Sequence, residues 1–181
     1  RAMPDAYGLI LYNCPPTEAR ELMEAVRCTP SVKWMHFISA GKEGFNAEEF
    51  PSRVAVTQIA GASAPVVAEH AMALLLALGR RVPDMLERQA RQVWDRGAVP
   101  RMQSLEGKTL AVVGYGHIGR EVARRARGFG MHIVALSRGG RCDEMADEGQ
   151  PLSALADVLA RADAIVLTIA QTPQTVKLMG A

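Results

Sequence analysis

The sequence predicts an α/β protein with parallel sheets, on three observations. Short apolar runs bounded by turn residues, the pattern of buried strands, alternate with longer segments of helical periodicity. This alternation occurs twice, once before residue 97 and once after residue 107. The second series opens with a glycine-rich turn directly between a predicted strand and a predicted helix. Strands that alternate with helices pair as parallel β-α-β units, so each series predicts its own parallel sheet.

The first series predicts one helix and three strands. The helix starts at the paired prolines of residues 15–16 and ends at about Arg27, because proline is well tolerated in the first helical turn. The predicted strands are residues 7–12, 33–38 and 53–59. A glycine-containing loop, residues 39–45, leaves the end of the second strand. Ligands of open α/β sheets bind at such strand ends, so this loop is a candidate binding segment.

Two helices are predicted next, at residues 64–81 and 82–94. The first is apolar on most faces, which predicts that it is buried between layers. Residues 97–107 are irregular and contain Pro100, so we place a domain boundary near residue 100. The sequence therefore predicts one domain over residues 1–100, with a long helical arm, and a second over residues 101–181.

The second series predicts three strands separated by two helices. The strands are residues 110–114, 132–136 and 164–169, the helices are residues 117–129 and 151–162, and residues 137–151 are predicted as a polar loop. The turn after the first of these strands reads Gly-Tyr-Gly-His-Ile-Gly. In such a G-x-G-x-x-G turn the first glycine allows the tight turn and the second lets a pyrophosphate approach the backbone. The third lets the helix pack closely on the strand.

This turn is predicted to bind a dinucleotide, because the helix that follows it supplies free N–H donors and the positive end of its dipole. The predicted cofactor-binding residues of the turn are Gly114, Tyr115, Gly116, His117, Ile118 and Gly119. A site that prefers NAD would place an acid at the end of the next strand, to bind the ribose 2′-OH. This chain has Ser137 and Arg138 there instead. A guanidinium can bind a 2′-phosphate and a hydroxyl can donate to it, so the sequence favours NADP(H), with NAD(H) as the possible alternative.

Composition restricts the remaining function classes. The net charge of +2, from 21 Lys+Arg and 19 Asp+Glu, is too balanced to indicate a nucleic-acid partner. The longest apolar run, residues 71–78, is too short to span a bilayer. The 3 cysteines include no C-x-x-C pair, which indicates reduced thiols, no metal site and a cytoplasmic location.

Four segments give the chain a resemblance to a known family. They are "KWMHFISAG", "VAVTQIAGASAPVVAEHAMALLLALGRR", "LEGKTLAVVGYGHIGREVARRARGFGMHIVALSR" and "LADVLARADAIVLTIAQTPQTVKLMGA". In these segments the chain resembles the D-isomer-specific 2-hydroxyacid dehydrogenases, which include glyoxylate/hydroxypyruvate reductases. The resemblance implies two Rossmann-like lobes with parallel sheets, both incomplete in this chain, the second being the N-terminal half of the NAD(P)-binding lobe. It also implies a homodimer formed through the helical arm, and hydride transfer between a nicotinamide and a small 2-oxo or 2-hydroxy acid.

The same resemblance implies roles for further residues. The backbone of Ala40, Gly41 and Lys42 is expected to hold the substrate carboxylate, and Ile169, Ala170 and Thr175 are expected to lie against the cofactor. The family's catalytic arginine, glutamate and histidine correspond to positions beyond Ala181. No catalytic residue is therefore expected in this chain, and the fragment alone is expected to be inactive although the full-length protein is an enzyme. We interpret the four histidines present as structural.

Two other readings stay open at the level of sequence. The first is a non-enzymatic NAD(H)-binding module, like the transcriptional corepressors related to this family, in which the dinucleotide controls dimerisation. The second is an NAD-dependent member of phosphoglycerate-dehydrogenase type, which Arg138 disfavours. An Arg-Gly segment followed by a glutamate and a histidine downstream of this chain would favour the enzyme over the binding module.

Overall fold

A computed structural model describes residues 5–39, 41–45 and 48–180 of the chain. The contacts divide the chain into two compact units. Unit 1 is Arg1–Ser63 together with Ala170–Ala181, and unit 2 is Ala64–Ile169. Both contain parallel sheets with helices packed against them, so the predicted α/β class with parallel sheets is confirmed.

Unit 1 is built on a parallel sheet of three strands in the order β1, β2, β3. The strands are β1 (Gly8–Leu11), β2 (Trp34–Phe37) and β3 (Ala55–Gln58), and helix α1 (Pro16–Arg27) connects the first two. Alternate residues of β2, Met35 and Phe37, are fully buried. They pack with one face of α1, whose buried residues are Ala19, Met23 and Val26. The alternate residues of the strand and the residues on one face of the helix therefore form one small hydrophobic core.

Unit 2 contains a second parallel sheet, of four strands in the order β6, β5, β4, β7. The strands are β4 (Thr109–Val113), β5 (His132–Ser137), β6 (Glu148–Pro151) and β7 (Ala164–Leu167). Nearly every residue of the two central strands, β4 and β5, is buried. Such unbroken apolar strands are typical of a parallel sheet covered on both faces, which is why their sequences were recognisable as strands.

Strand β6 corrects the prediction that residues 137–151 form only a polar loop and that the second sheet has three strands. Its sequence, Glu-Gly-Gln-Pro, has little strand propensity. It pairs with β5 nonetheless, from Val134 opposite Glu148 to Ser137 opposite Pro151. A proline is acceptable there because β6 is the outer strand of the described sheet. Backbone hydrogen bonding at the edge of the sheet is thus sufficient to form a strand from a polar sequence with low strand propensity.

Four helices accompany the second sheet: α2 (Ala64–Gly79), α3 (Val82–Ala90), α4 (His117–Arg127) and α5 (Leu155–Arg161). Ala68 and Met72 of α2 pack with α4 residues in the core of unit 2. Because of this packing, the contacts separate the chain after Ser63 and not near residue 100, the boundary expected from sequence. The functional division into residues 1–100 and 101–181 stays a prediction.

The prediction that α2 is buried between layers is wrong for this chain. One side of the helix packs in unit 2, but Val66, Leu74 and Leu78 are exposed, Leu78 to 68%. Helix α3 ends at Ala90, four residues before the predicted end at Trp94, and none of its residues is buried. Exposed apolar residues therefore lie on both helices and just after α3. They define what is here called the arm surface: Val66, Leu74, Leu78, Leu86 and Trp94.

Charged side chains fix strand β6 to its neighbours. The Glu148 carboxylate accepts a hydrogen bond from Arg161 Nη1 at 2.8 Å, and its Oε1 atom lies 2.8 Å from His132 Nε2. The Arg161 guanidinium, and after it the His132 imidazole, lowers the pKa of Glu148 from its ordinary value of 4.5 to about 2. The carboxylate therefore stabilises the folded state only while it is ionised.

We expect the Glu148→Gln variant to show a weaker acid dependence of stability. Because the folded pKa of Glu148 is lowered, its contribution is complete above about pH 4.5 and is lost as the pH falls toward 2. The group is partly exposed, so solvent screening limits the contribution to about 1 kcal/mol or less. Urea unfolding at pH 6 and pH 3 should give a smaller difference in the free energy of unfolding for Glu148→Gln than for wild type.

Glu106→Gln is the matched control, because Glu106 is exposed in the same unit and its carboxylate forms no ion pair with a described residue. Its acid dependence should equal that of wild type. An unchanged acid dependence in Glu148→Gln would contradict the assigned role of the Arg161 and His132 contacts.

Candidate functional site

The glycine-rich turn occupies residues 114–116, between the end of β4 and the start of α4. Gly114 has φ of +101°, a conformation that residues with a side chain rarely adopt. A Cβ on Gly114 would also lie 2.7 Å from the backbone nitrogen of Ile169. This position therefore requires glycine for two reasons, the backbone conformation and the close approach of the chain after β7.

The third glycine of the motif lets α4 approach the turn. A Cβ on Gly119 would overlap the Gly114 carbonyl oxygen and would lie 3.1 Å from Val112 Cγ1. The same carbonyl accepts a hydrogen bond from Thr168 Oγ1 at 2.6 Å. Thr168 thus fixes the turn from the side of β7, while Gly119 fixes it from the side of α4. Sequence reasoning did not find Thr168, because its role depends on the pairing of β4 with β7.

The second glycine differs from the other two. Gly116 is exposed, and no atom lies within 4 Å of the position that its Cβ would take. Gly116 is also the N-cap of α4, and no side chain caps this helix end. The first N–H groups of a helix have no acceptor within the helix, so an anion placed over Gly116 would meet free donors and the positive dipole end. Open space and free donors together fit a pyrophosphate.

The other side chains of the turn point in different directions. Tyr115 is buried, and its hydroxyl donates a hydrogen bond to Asp143 Oδ1 at 2.6 Å. Burial and this hydrogen bond raise the pKa of Tyr115, while the hydrogen bond lowers the pKa of Asp143. Ile118 packs on the core of unit 2, and His117 is exposed. Asp143 was missed in the sequence, because nothing in its local pattern distinguishes it from other loop acids.

The predicted ribose-binding residues lie beside the turn. The N–H of Gly114 donates to the carbonyl oxygen of Leu136 at 2.9 Å, so the end of β5 adjoins the glycine turn. Ser137 Oγ donates to the Arg141 carbonyl oxygen at 3.1 Å. Arg138 is exposed, and it forms no hydrogen bond or ion pair with any described residue. Arg138, which has no partner among the described residues, therefore follows β5, the strand next to β4, and the glycine turn follows β4.

The predicted contacts after β7 divide between the two units. Ile169 belongs to unit 2 and lies against Gly114. Ala170 and Thr175 belong to unit 1, where Thr175 Oγ1 donates to the Ala170 carbonyl oxygen at 2.7 Å. Thr175 Oγ1 also accepts the N–H of Thr172 at 2.7 Å. These hydrogen bonds close a compact turn, and the cofactor role of its residues stays a prediction.

The predicted carboxylate-binding loop lies in unit 1, and Ala40 is outside the described residues. Ser39 Oγ donates to the Gly41 carbonyl oxygen at 2.6 Å. The amide of Asn13 donates to Glu43 Oε2 at 2.8 Å, and Glu43 lies against Gly41. Lys42 is exposed, with its ammonium 5.9 Å from the centre of the Phe50 ring. The loop is thus held by side-chain hydrogen bonds, with one acid and one cation beside it.

The histidines occupy separate environments. His36 Nδ1 lies 2.8 Å from Thr57 Oγ1, and its ring stacks on Trp34. His132 belongs to the Glu148 cluster described above. Like His132, His70 and His117 are exposed. Among residues 5–39, 41–45 and 48–180, no group of three or more His, Cys, Asp or Glu side chains could hold a metal ion, and no helix is long and apolar enough to cross a membrane.

This geometry agrees with what comparison with known proteins finds. A family model described as "D-isomer specific 2-hydroxyacid dehydrogenase, NAD binding domain" matches residues 72–181, which include the glycine turn and Arg138. The chain belongs to this family. The resemblance inferred from the sequence motifs is therefore confirmed. The family model describes an NAD-binding domain, so the general class of cofactor is a nicotinamide dinucleotide.

Three relatives illustrate the similarity. D-3-phosphoglycerate dehydrogenase of Mycobacterium bovis is 31% identical over 98% of this chain and 33% of its own length. Glyoxylate reductase of Thermococcus kodakarensis is 31% identical over 84% of this chain and 48% of its own. The crystal structure of a D-isomer specific 2-hydroxyacid dehydrogenase family protein from Aeromonas salmonicida superposes with a TM-score of 0.78, at 29% identity, over 94% of this chain and 52% of that one. The chain thus spans a third to a half of the length of these relatives.

The unequal surroundings of the glycines predict unequal effects of substitution. Gly119→Ala places a methyl group on the Gly114 carbonyl oxygen, so either α4 or the turn must move. We expect a loss of about 1–3 kcal/mol in the free energy of unfolding, as for other overpacked sites. Gly116→Ala enters open space at φ −94°, and we expect a change within about 0.5 kcal/mol. Equal losses in the two variants, measured by urea unfolding, would contradict this assignment.

Proposed function

We propose that the full-length protein is an NADP(H)-favouring D-2-hydroxyacid dehydrogenase that works as a 2-oxoacid reductase, with unit 2 providing the cofactor site. The observation that carries the cofactor preference is Arg138, an exposed and unpaired cation at the end of β5. NAD-preferring sites place an acid here, which would repel a 2′-phosphate. The bound dinucleotide would supply the hydride, while residues of this chain would position it.

Each part of the cofactor site has a distinct task in this proposal. The N–H groups at the start of α4 bind the pyrophosphate over Gly116, and Arg138 binds the ribose 2′-phosphate. Ser137, whose hydroxyl donates to the Arg141 carbonyl oxygen, supports the turn that carries Arg138. Ile169, which adjoins Gly114 in unit 2, lies along the cofactor toward the reacting end. The carbonyl-polarising arginine and the acid–base pair of the family have no counterpart among the residues described here. We therefore expect residues 1–181 alone to bind a dinucleotide without reducing an oxo acid.

In unit 1, we assign the loop of Ala40, Gly41 and Lys42 to the substrate carboxylate, for which fixed backbone N–H groups are suitable donors. The hydrogen bonds of Ser39 and Glu43 limit the freedom of this loop, which favours a preorganised site. The exposed Lys42 ammonium adds a positive charge beside it. A reductase assay of the full-length protein with NADPH, NADH and a panel of 2-oxo acids that includes glyoxylate tests the activity as a whole.

We also propose that two copies associate through the arm surface. Its exposed apolar residues lie on two consecutive helices and just after the second, and large apolar side chains left exposed in this way are candidates for an interaction site. A second copy suits this patch because homo-oligomers most often bury one surface against itself about a two-fold axis.

The Arg138→Asp variant is expected to lose NADPH affinity and to keep or improve NADH affinity. A charge-assisted hydrogen bond contributes about 1.5–3 kcal/mol, which corresponds to roughly one to two decades in affinity. The new carboxylate would also repel the 2′-phosphate and accept hydrogen bonds from the ribose hydroxyls. Dissociation constants from nucleotide titration of the full-length protein measure the effect.

Arg96→Asp is the matched control, because Arg96 is exposed in the same unit, has no side-chain partner among the described residues and gives the same change in charge. It should leave both affinities within about twofold of wild type. An equal loss of NADPH and NADH affinity in Arg138→Asp would refute the proposed preference, whereas the dinucleotide-binding fold would stand.

The Leu78→Glu variant is expected to dissociate the proposed dimer. Leu78 is among the most exposed apolar residues of the arm surface, and a carboxylate buried there without a partner would cost several kcal/mol in association. Sedimentation equilibrium of the full-length protein should show a dimer for wild type and a monomer for the variant. Val176→Glu, at an exposed apolar residue outside the arm surface, should stay dimeric. A dimeric Leu78→Glu protein would exclude the arm surface as the interface.

A further inference from the structure

The hydroxyl of Tyr115 has a role that the glycine motif does not explain. Tyr115 stands between the first two glycines, at a position for which the motif specifies no residue type. Tyr115 is only 8% exposed, and its hydroxyl donates to Asp143 Oδ1 at 2.6 Å. This short distance is that of a hydrogen bond to a charged acceptor. The turn that approaches the pyrophosphate is therefore anchored through its own side chain to a separate loop.

The Asp143 carboxylate forms polar contacts with residues of three segments. Its Oδ1 atom accepts the Tyr115 hydroxyl and also the N–H of Met145 at 3.1 Å, while its Oδ2 atom lies 3.2 Å from Arg120 Nε in α4. The Tyr115 hydrogen bond is the largest of the effects that lower the pKa of Asp143, so the carboxylate is ionised at neutral pH. One carboxylate thus joins the glycine turn, the first turn of α4 and the loop that follows β5.

The chain between Arg138 and Asp143 has little freedom to move independently. The Gly140 N–H donates to the Ser137 carbonyl oxygen at 3.3 Å, and Ser137 Oγ donates to the Arg141 carbonyl oxygen at 3.1 Å. Gly149 of β6 packs so closely that a Cβ there would overlap the Gly140 carbonyl oxygen. A displacement at Asp143 is therefore transmitted along a short, bonded turn to Arg138.

The arrangement also separates two arginines that lie near the glycine turn. Arg120 is paired with Asp143 and lies over the Tyr115 ring, 5.9 Å from its centre. Arg138 has no partner among the described residues. Because Asp143 neutralises Arg120, a second anion beyond the pyrophosphate is directed to the unpaired Arg138 and not to Arg120.

We propose that the Tyr115–Asp143 hydrogen bond is a positioning contact, which holds the Arg138 loop against the glycine turn so that a 2′-phosphorylated adenosine nucleotide is bound at both points. Tyr115 is then a positioning residue for cofactor discrimination, acting through Asp143 and Arg138. The inference rests on the proposed function, since it requires Arg138 to bind the 2′-phosphate. It adds to that proposal a control of specificity by a residue whose side chain faces away from the ligand.

The test uses two ligands that differ only in the 2′-phosphate, adenosine 2′,5′-bisphosphate and adenosine 5′-monophosphate, titrated calorimetrically into the full-length protein. Tyr115→Phe removes one O–H group and keeps the ring. We expect it to weaken binding of the bisphosphate by about threefold to tenfold, the range for loss of one hydrogen bond, and to leave the monophosphate within about twofold. The ratio of the two affinities is the decisive quantity, because a general loss of stability would lower both.

Two further variants and a control complete the experiment. Asp143→Ala removes the acceptor and should reproduce the effect of Tyr115→Phe, whereas Asp143→Asn keeps an oxygen acceptor and should retain more of the wild-type ratio. Tyr7→Phe, at an exposed tyrosine of unit 1, should change neither affinity. Asp143→Ala also provides a test if Tyr115→Phe does not fold, which thermal unfolding would show.

The possible failures are distinguishable. If wild type binds the two ligands equally, the proposed NADP(H) preference fails, and the positioning role fails with it. If wild type prefers the bisphosphate but Tyr115→Phe and Asp143→Ala keep the same ratio, only the positioning role is overturned. An equal weakening of both ligands in these variants would assign the hydrogen bond to the stability of the turn alone, which also overturns the inference.

Discussion

The close approach of α4, β4 and β7 at the glycine turn is the constraint on which the rest of unit 2 depends. Three backbones meet at Gly114 with no space for a side chain at that position or at Gly119. The Thr168 hydroxyl satisfies the Gly114 carbonyl that this packing would otherwise leave partly unpaired. Since the turn is fixed so tightly, the first N–H groups of α4 have a defined direction, which is what an anion site over Gly116 would need.

Electrostatic pairing decides which cations remain available around this site. The arginines in the second half of α4 are held by acids: Arg124 and Arg125 by Glu121, and Arg127 by Asp147. Such pairs at exposed positions contribute little to stability, but they remove positive charge that would otherwise compete for an anionic ligand. Arg138 has no acid partner among the described residues. The specificity of a phosphate site therefore depends as much on the arginines that are paired as on those, such as Arg138, that are not.

The sequence predicted best those features that depend on local chemistry. Buried parallel strands such as β4 and β5 are continuous apolar runs, and the turn between β4 and α4 needs glycine, so both were located closely. Features that depend on distant partners were missed. Strand β6 forms because its backbone can pair with that of β5. Asp143 could not be recognised because its partner, Tyr115, is 28 positions away in the sequence. The apolar sequence of α2 also did not distinguish a buried helix from a helix with one exposed face, since both are rich in apolar residues. Leu78, which was expected to be buried, is exposed.

The residues proposed to recognise the cofactor and those proposed to bind the substrate carboxylate lie in different units. The glycine turn and Arg138 lie at the ends of adjacent strands of one sheet, so every described contact that would discriminate cofactors is internal to unit 2. The candidate carboxylate loop is internal to unit 1, where Asn13, Ser39 and Glu43 hold it by side-chain hydrogen bonds. Among the described residues, the two sites share no side-chain hydrogen-bond partner. Under the proposed function, cofactor preference is therefore encoded in unit 2 and the preference for the acid in unit 1. The relatives of the chain include both glyoxylate reductase and D-3-phosphoglycerate dehydrogenase.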